Sequence, residues 1–264
     1  MSALSDLFAR TRAEGRAALI GYLPAGYPSV DGSIAALTAM VGAGVDVVEI
    51  GLPYSDPLLD GPTIQAAVDD ALARGVTTAD VFAAVKAVSA TGAPTLVMSY
   101  WNPIARYGVE RFAADLAAAG GVGTITADIT PDEAGDWMAA SQAHGLDRVF
   151  LVAPSSTDAR IAYTADHTRG FVYAAAVMGV TGARDQVGSA ARGLVQRVRA
   201  ATDLPVCVGL GVSSAGQARE VASFADGVIV GSAFVRCLLD APDADAGVAA
   251  VATLAEELAQ GVRG

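Results

Sequence analysis

Apolar positions along this chain fall into two alternating patterns. Short, near-continuous apolar runs occur at AALIGYL (17–23), VDVVEIG (45–51), PTLVMSY (94–100), VGTITAD (122–128), DRVFLVA (147–153), GFVYAAA (170–176), LPVCVGLG (204–211) and DGVIVGS (226–232). Such runs suit strands of a parallel sheet covered by helices. Between them lie stretches with helical spacing, among them SIAALTAMVGAG, TADVFAAVKAVSA, ERFAADLAAAG, PDEAGDWMAASQAHG, AARGLVQRVRAAT and SAGQAREVASF. Several end in Gly, a common helix stop. Eight strands in strict alternation with helices predict an α/β fold, a (β/α)8 TIM barrel. A doubly wound sheet would have fewer strands or a second domain. No Pro/Ser-rich linker or charge run divides the chain, so the expectation is one catalytic domain, 1–264. The N-terminal helix is predicted to cap the barrel bottom, and AGVAAVATLAEELAQGVRG to close the fold.

Composition narrows the chemistry. A 53% hydrophobic fraction supports a large core, and 17% charged residues excludes a disordered chain. No apolar run approaches the roughly 20 residues of a membrane helix. The opening MSALSDLFARTRAEGR lacks the apolar centre of a secretory signal, so the expected location is the cytoplasm. A net charge of −11 argues against nucleic acid and anionic membrane as partners, and leaves any phosphate to be held by local groups. Cys207 and Cys237 follow no metal-ligand spacing and read as buried thiols in a reducing compartment. The single lysine, Lys86, lies mid-helix by pattern, so Schiff-base chemistry has no candidate. His144 and His167 both fall in helical segments, so no histidine metal site is expected.

In a barrel, chemistry sits at the C-terminal strand ends. Alternation along VDVVEIG puts Val45, Val47 and Glu49 on one face and Val48 and Ile50 on the other, both buried. Glu49 is then a carboxylate near the top of a buried strand. Burial disfavours its ionised form and raises its pKa towards the range useful for proton transfer. The plainer alternative is a structural hydrogen-bond anchor; the position favours catalysis. The following loop, LPYSDPLLDGPTIQ, is long and carries Asp56 and Asp60. Taken alone, Asp60-Gly61-Pro62 reads as a turn or helix cap. Gly209-Leu210-Gly211, Gly231-Ser232 and Gly179-Val180-Thr181-Gly182 could be ordinary turns. Their clustering at consecutive strand ends points instead to a phosphate cradle of backbone donors, with Ser232 at a helix start. The residues themselves thus give a phosphate-binding barrel with a buried carboxylate, and no substrate.

The segment VEIGLPYSDPLLDG at 48–61 resembles the signature of the tryptophan synthase α-subunit family. Further family-like segments stand in register: Gly26-Tyr27-Pro28, Tyr100-Trp101-Asn102-Pro103, Tyr107-Gly108, Val152-Ala153-Pro154, Gly170-Phe171-Val172-Tyr173, GVTGAR (179–184), GLGVS (209–213) and ADGVIVGSA (225–233). The resemblance implies cleavage of indole-3-glycerol phosphate to indole and glyceraldehyde 3-phosphate, without a cofactor, in tryptophan biosynthesis. It implies that Asp60 accepts the indole N–H and that Glu49 protonates ring carbon C3 and deprotonates the side-chain hydroxyl. Tyr22, Tyr100, Tyr173, Thr181 and Leu210 are implied around the substrate, and Gly182, Gly211, Gly231 and Ser232 at its phosphate. A pyridoxal-phosphate-dependent β subunit is the implied partner, in an α2β2 complex, facing Pro53, Asp56, Asn102, Pro103 and Pro131. Leu59, Asp128-Ile129-Thr130-Pro131 and Val177-Met178 depart from the family pattern, away from the acid–base pair. Two variants of this reading are a stand-alone lyase supplying free indole and an α-like allosteric activator of a β subunit. A sugar-phosphate epimerase or isomerase is disfavoured by the lack of histidine at any strand end.

Overall fold

A computed structural model describes residues 2–176, 184–209 and 211–264. Among these residues there are nine strands, all paired in parallel: β1 (Ala18–Pro24), β2 (Val47–Gly51), β3 (Thr95–Ser99), β4 (Gly123–Thr126), β5 (Asp147–Val149), β6 (Leu151–Val152), β7 (Val172–Ala175), β8 (Val206–Gly209) and β9 (Gly227–Val230). They form one sheet in the order β5-β4-β3-β2-β1-β9-β8-β7-β6. Only Phe150 separates β5 from β6, so the two edges of the sheet are consecutive pieces of chain and the barrel closes. The Phe150 carbonyl accepts the Tyr173 N–H at 3.3 Å across this seam. Each of the eight predicted runs therefore holds a strand, the fifth in two pieces.

The helices are α1 (Ala3–Ala13), α2 (Val30–Gly42), α3 (Pro62–Ala73), α4 (Thr78–Ser89), α5 (Trp101–Tyr107), α6 (Val109–Ala118), α7 (Gly135–Ala143), α8 (Asp158–His167), α9 (Arg184–Arg199), α10 (Ala215–Ala222), α11 (Ser232–Leu239) and α12 (Ala244–Arg263). Their starts follow local chemistry. Ser29, Thr157, Ser214 and Asp243 each accept a backbone N–H of the first turn, and Thr77 with Asp80 forms a capping box. No helix among the described residues is long and apolar enough to cross a membrane.

The pleat divides the apolar residues into two cores. Ala18, Ile20, Val47, Leu96, Ile125, Val149, Phe171, Cys207 and Ile229 fill the barrel interior. The opposite strand faces, including Leu19, Val48, Ile50 and Val97, pack on the helices. Register fixes this choice: Ile20 pairs with Val47 and Tyr22 with Glu49, so a slip of one residue would turn every inward side chain outward. The N-terminal helix closes the bottom as expected. Leu4, Leu7 and Phe8 of α1 join the interior cluster, with Phe8 edge-on to Phe171 at 5.8 Å. Each such buried apolar side chain contributes about 1.5–3 kcal/mol, which offsets the entropy of ordering the helix. The packing thus leaves the C-terminal end of the barrel interior open.

Candidate active site

A cavity of about 410 Å³ opens at the C-terminal ends of the strands. Inward positions of the strands provide its floor: Tyr22, Glu49, Met98, Leu151, Tyr173 and Ile229. Its rim is formed by Asp60, the start of α3, and Gly209, Gly211, Gly231 and Ser232. Glycine is required at two strand-end positions beside the floor. A Cβ at Gly209 would stand 2.6 Å from the Tyr173 hydroxyl, and one at Gly51 would overlap the Tyr22 ring. Both tyrosines therefore occupy space that only a missing side chain on the neighbouring strand leaves free.

Glu49 is fully buried, and none of the described residues hydrogen-bonds either of its carboxylate oxygens. Val47 shares its inward face while Val48 and Ile50 point to the helices, as alternation predicts. Val45 differs: it precedes β2 and packs in the outer core, because strand geometry begins only at Val47. Burial pushes the Glu49 carboxyl up to about 8, so near neutral pH it holds a proton. This has a consequence for stability. The folded chain binds that proton more tightly than the unfolded chain does. The folded state therefore loses stability as pH rises from the ordinary carboxylate range through about 8. Glu49→Gln removes the titration. Its stability relative to wild type should thus improve by about 3–5 kcal/mol between pH ~5 and pH ~9, as read by urea unfolding. A difference that stays constant with pH would mean Glu49 is not held protonated by burial.

Asp60 does not cap α3. The N-cap is Gly61, with no side-chain capping bond and Pro62 at the first helical position. The Asp60 side chain instead accepts the Tyr100 hydroxyl at 2.9 Å, and the same hydroxyl accepts the Leu59 N–H at 3.0 Å. The Gln65 amide donates to the Asp60 carbonyl at 2.6 Å. Partial burial raises the Asp60 pKa, and the Tyr100 hydrogen bond opposes that rise. Desolvation, with Asp60 adding to it, pushes the Tyr100 phenol up to about 12, so it remains a donor. Tyr100 thus stands behind Asp60 rather than on the cavity wall, and touches the site through the loop it anchors. Tyr22 and Tyr173 are raised by burial, with nearby carboxylates adding to it.

Gly211, Gly231 and Ser232 come together on the rim. Ser232 is the first residue of α11, where backbone N–H groups lack intrahelical acceptors. Thr181, Gly182 and Leu210 lie outside the described residues. A separate groove of about 460 Å³ on the same rim is lined by Pro53, Asp56, Asn102 and Pro103. Asp56 and Asn102 are exposed, and Asn102 donates to the Tyr54 hydroxyl at 3.0 Å. Asn102 and Pro103 sit on α5 rather than in a loop, with the Trp101 N–H held by Asp128 at 2.7 Å. Pro53 and Pro131 are buried and Pro103 is half-buried, so the exposed part of the expected partner surface falls to Asp56 and Asn102. Sequence reasoning missed Met98, Leu151 and Ile229 on the floor, although strand alternation marks all three as inward. Among the described residues no three His, Cys, Asp or Glu side chains gather as a metal site.

A closed parallel barrel with a buried, protonated carboxyl and a second carboxyl at its C-terminal mouth is a TIM-barrel enzyme equipped for proton transfer. Comparison with known proteins specifies which. The family model described as tryptophan synthase alpha chain matches residues 8–263. The tryptophan synthase alpha chain of Salinispora arenicola is 63% identical over 263 residues, covering 100% of this chain and 98% of the relative. That of Thermobifida fusca is 60% identical over 266 residues, covering 100% and 98%. A ligand-free crystal structure of tryptophan synthase from M. tuberculosis aligns with a TM-score of 0.92 at 54% identity, covering 100% of both chains. Tryptophan synthase subunit alpha from Legionella pneumophila str. Paris aligns at 0.90 with 30% identity, covering 99% of this chain and 98% of that one. The chain belongs to the tryptophan synthase alpha chain family, and is a lyase that cleaves indole-3-glycerol phosphate in tryptophan biosynthesis.

Proposed function

We propose that this cleavage takes place in the cavity at the barrel mouth, with Glu49 and Asp60 as its acid–base machinery. The observation that carries the reading is Glu49: a fully buried carboxyl with no partner among the described residues on either oxygen, facing a substrate-sized space. Its protonated form delivers a proton to C3 of the indole ring. Asp60 accepts the ring N–H and balances the positive charge that develops there. The Glu49 carboxylate then removes the proton of the side-chain hydroxyl. The C–C bond electrons return to the ring, which leaves indole and the aldehyde of glyceraldehyde 3-phosphate. Atoms and charge balance with no group beyond the two carboxyls. Tyr22 and Tyr173 flank the substrate, and the N–H groups around Gly211, Gly231 and Ser232 receive its phosphate. The whole chain, 1–264, serves as one catalytic domain, and its two free thiols fit a reducing cytoplasm.

The same rim is read as the docking face for a β subunit. The loop that ends in Asp60 exposes two large apolar side chains, Leu58 at 74% and Leu59 at 58%, which is unusual for a surface that stays in water. A partner that covers them also orders Asp60, raising turnover without altering the chemistry. Linkage then requires that ligand in the cavity tighten the complex. The test is indole release from indole-3-glycerol phosphate with and without added β subunit, for wild type and Asp56→Ala. Turnover should rise to a plateau with β subunit, and Asp56→Ala should need more partner to reach it. Wild-type turnover unchanged at saturating β subunit would remove the partner role, and absent indole release in both conditions would remove the lyase site itself.

A further inference from the structure

The opposite end of the barrel holds a second cavity of about 410 Å³, at the N-terminal ends of the strands. Four arginines reach it: Arg12 from α1, Arg16 before β1, Arg219 from α10 and Arg263 from α12. This is a local excess of positive charge in a chain of net charge −11. Arg16 is already engaged, with Asp46 at 2.7 and 2.9 Å and Glu14 at 2.6 Å. Asp226 is the one acidic side chain among the lining residues, and it too is engaged. It takes Arg199 at 3.1 Å and the Val206 N–H at 2.9 Å, while Arg12 comes only to 3.9 Å. Arg219 and Arg263 are exposed and form no ion pair among the described residues. Arg263 has only a long bond of 3.4 Å to the Gly44 carbonyl.

Arg12, Arg219 and Arg263 each lie in the last turn of a helix, where a cation complements the dipole by about 0.3–1 kcal/mol. That explains each arginine on its own helix. It does not explain why three open onto one cavity whose one acidic side chain is already engaged. Guanidinium groups with free donors converging on a concave, partly apolar space are the usual means of gripping phosphate and carboxylate oxygens.

We propose that this cavity is a second ligand site, taking a small anion with at least two negative charges, a phosphate ester or a polycarboxylate. Nothing in the cleavage reaction uses these arginines, so the site is independent of the Glu49 reading. Titration calorimetry on the full chain at physiological ionic strength tests it, with pyrophosphate and citrate as separate probes. The titration is run on a Ser232→Asp variant, whose added carboxylate repels anions from the rim of the upper cavity. One equivalent of probe should bind, and the tighter of the two assigns the site to phosphate or to carboxylate. Arg219→Ala/Arg263→Ala should weaken binding by about tenfold or more, and the double Lys variant should recover part of it. Both residues are exposed, so thermal melting and indole release should match wild type. Absence of binding at millimolar probe, or binding that the double Ala variant leaves unchanged, would overturn the proposal.

Discussion

Glu49→Gln is expected to lower the rate of indole formation by about 10²–10⁴-fold while the variant folds and binds substrate normally. The amide has the volume and the uncharged character of the protonated carboxyl it replaces, so neither packing nor the cavity floor should change. It has no proton to give to C3 and cannot take one from the hydroxyl. A related signature follows in the wild type. With the carboxyl raised to about 8, the free chain is in its proton-donating form at neutral pH, and kcat/KM should fall as pH rises above that value. Glu49→Gln should flatten this limb in whatever activity remains. Near-normal turnover in a folded variant would mean that another group moves the proton.

For Asp60→Asn the expected loss in kcat is about 10²–10³-fold, in the range found when a single charge-stabilising contact is removed. The amide oxygen can still accept the indole N–H and the Tyr100 hydroxyl, so the loop keeps its anchor at that position. It cannot balance the positive charge on the protonated ring. The loss should therefore appear in kcat more than in substrate affinity. Should the variant keep most of its activity, Asp60 would be a structural residue of the loop and the charge would have to be met elsewhere.

How much of this was legible in the sequence depended on the range of the interaction concerned. The strands and most helices are written in local periodicity, and Glu49 could be placed on an inward, buried position from alternation alone. Phe150 could not be seen to interrupt its strand, because DRVFLVA is continuously apolar and the break arises where the chain passes between two neighbours. Asp60 looked like a helix cap because Asp-Gly-Pro has the local chemistry of one. Its actual partner, Tyr100, is 40 residues away and reaches it only once β2 and β3 are aligned. Burial of Pro53 and Pro131 is likewise set by how the loops fold back on the rim, and nothing in their neighbours' identities marks it. Thr181, Gly182 and Leu210 rest on the family resemblance, lying outside the described residues. The arginines at the barrel bottom are scattered over four segments, and only closure of the barrel brings them to one cavity.

The geometry of cleavage can be read from a crystal structure of Glu49→Gln with indole-3-glycerol phosphate bound, since the variant should hold substrate without consuming it. The indole N–H should lie within hydrogen-bond distance of Asp60, with C3 facing the side chain at position 49. The phosphate should sit on the backbone N–H groups around Gly211, Gly231 and Ser232. Substrate bound with its phosphate at another strand end, or with its indole ring turned away from Asp60 and position 49, would contradict the assignment of the site.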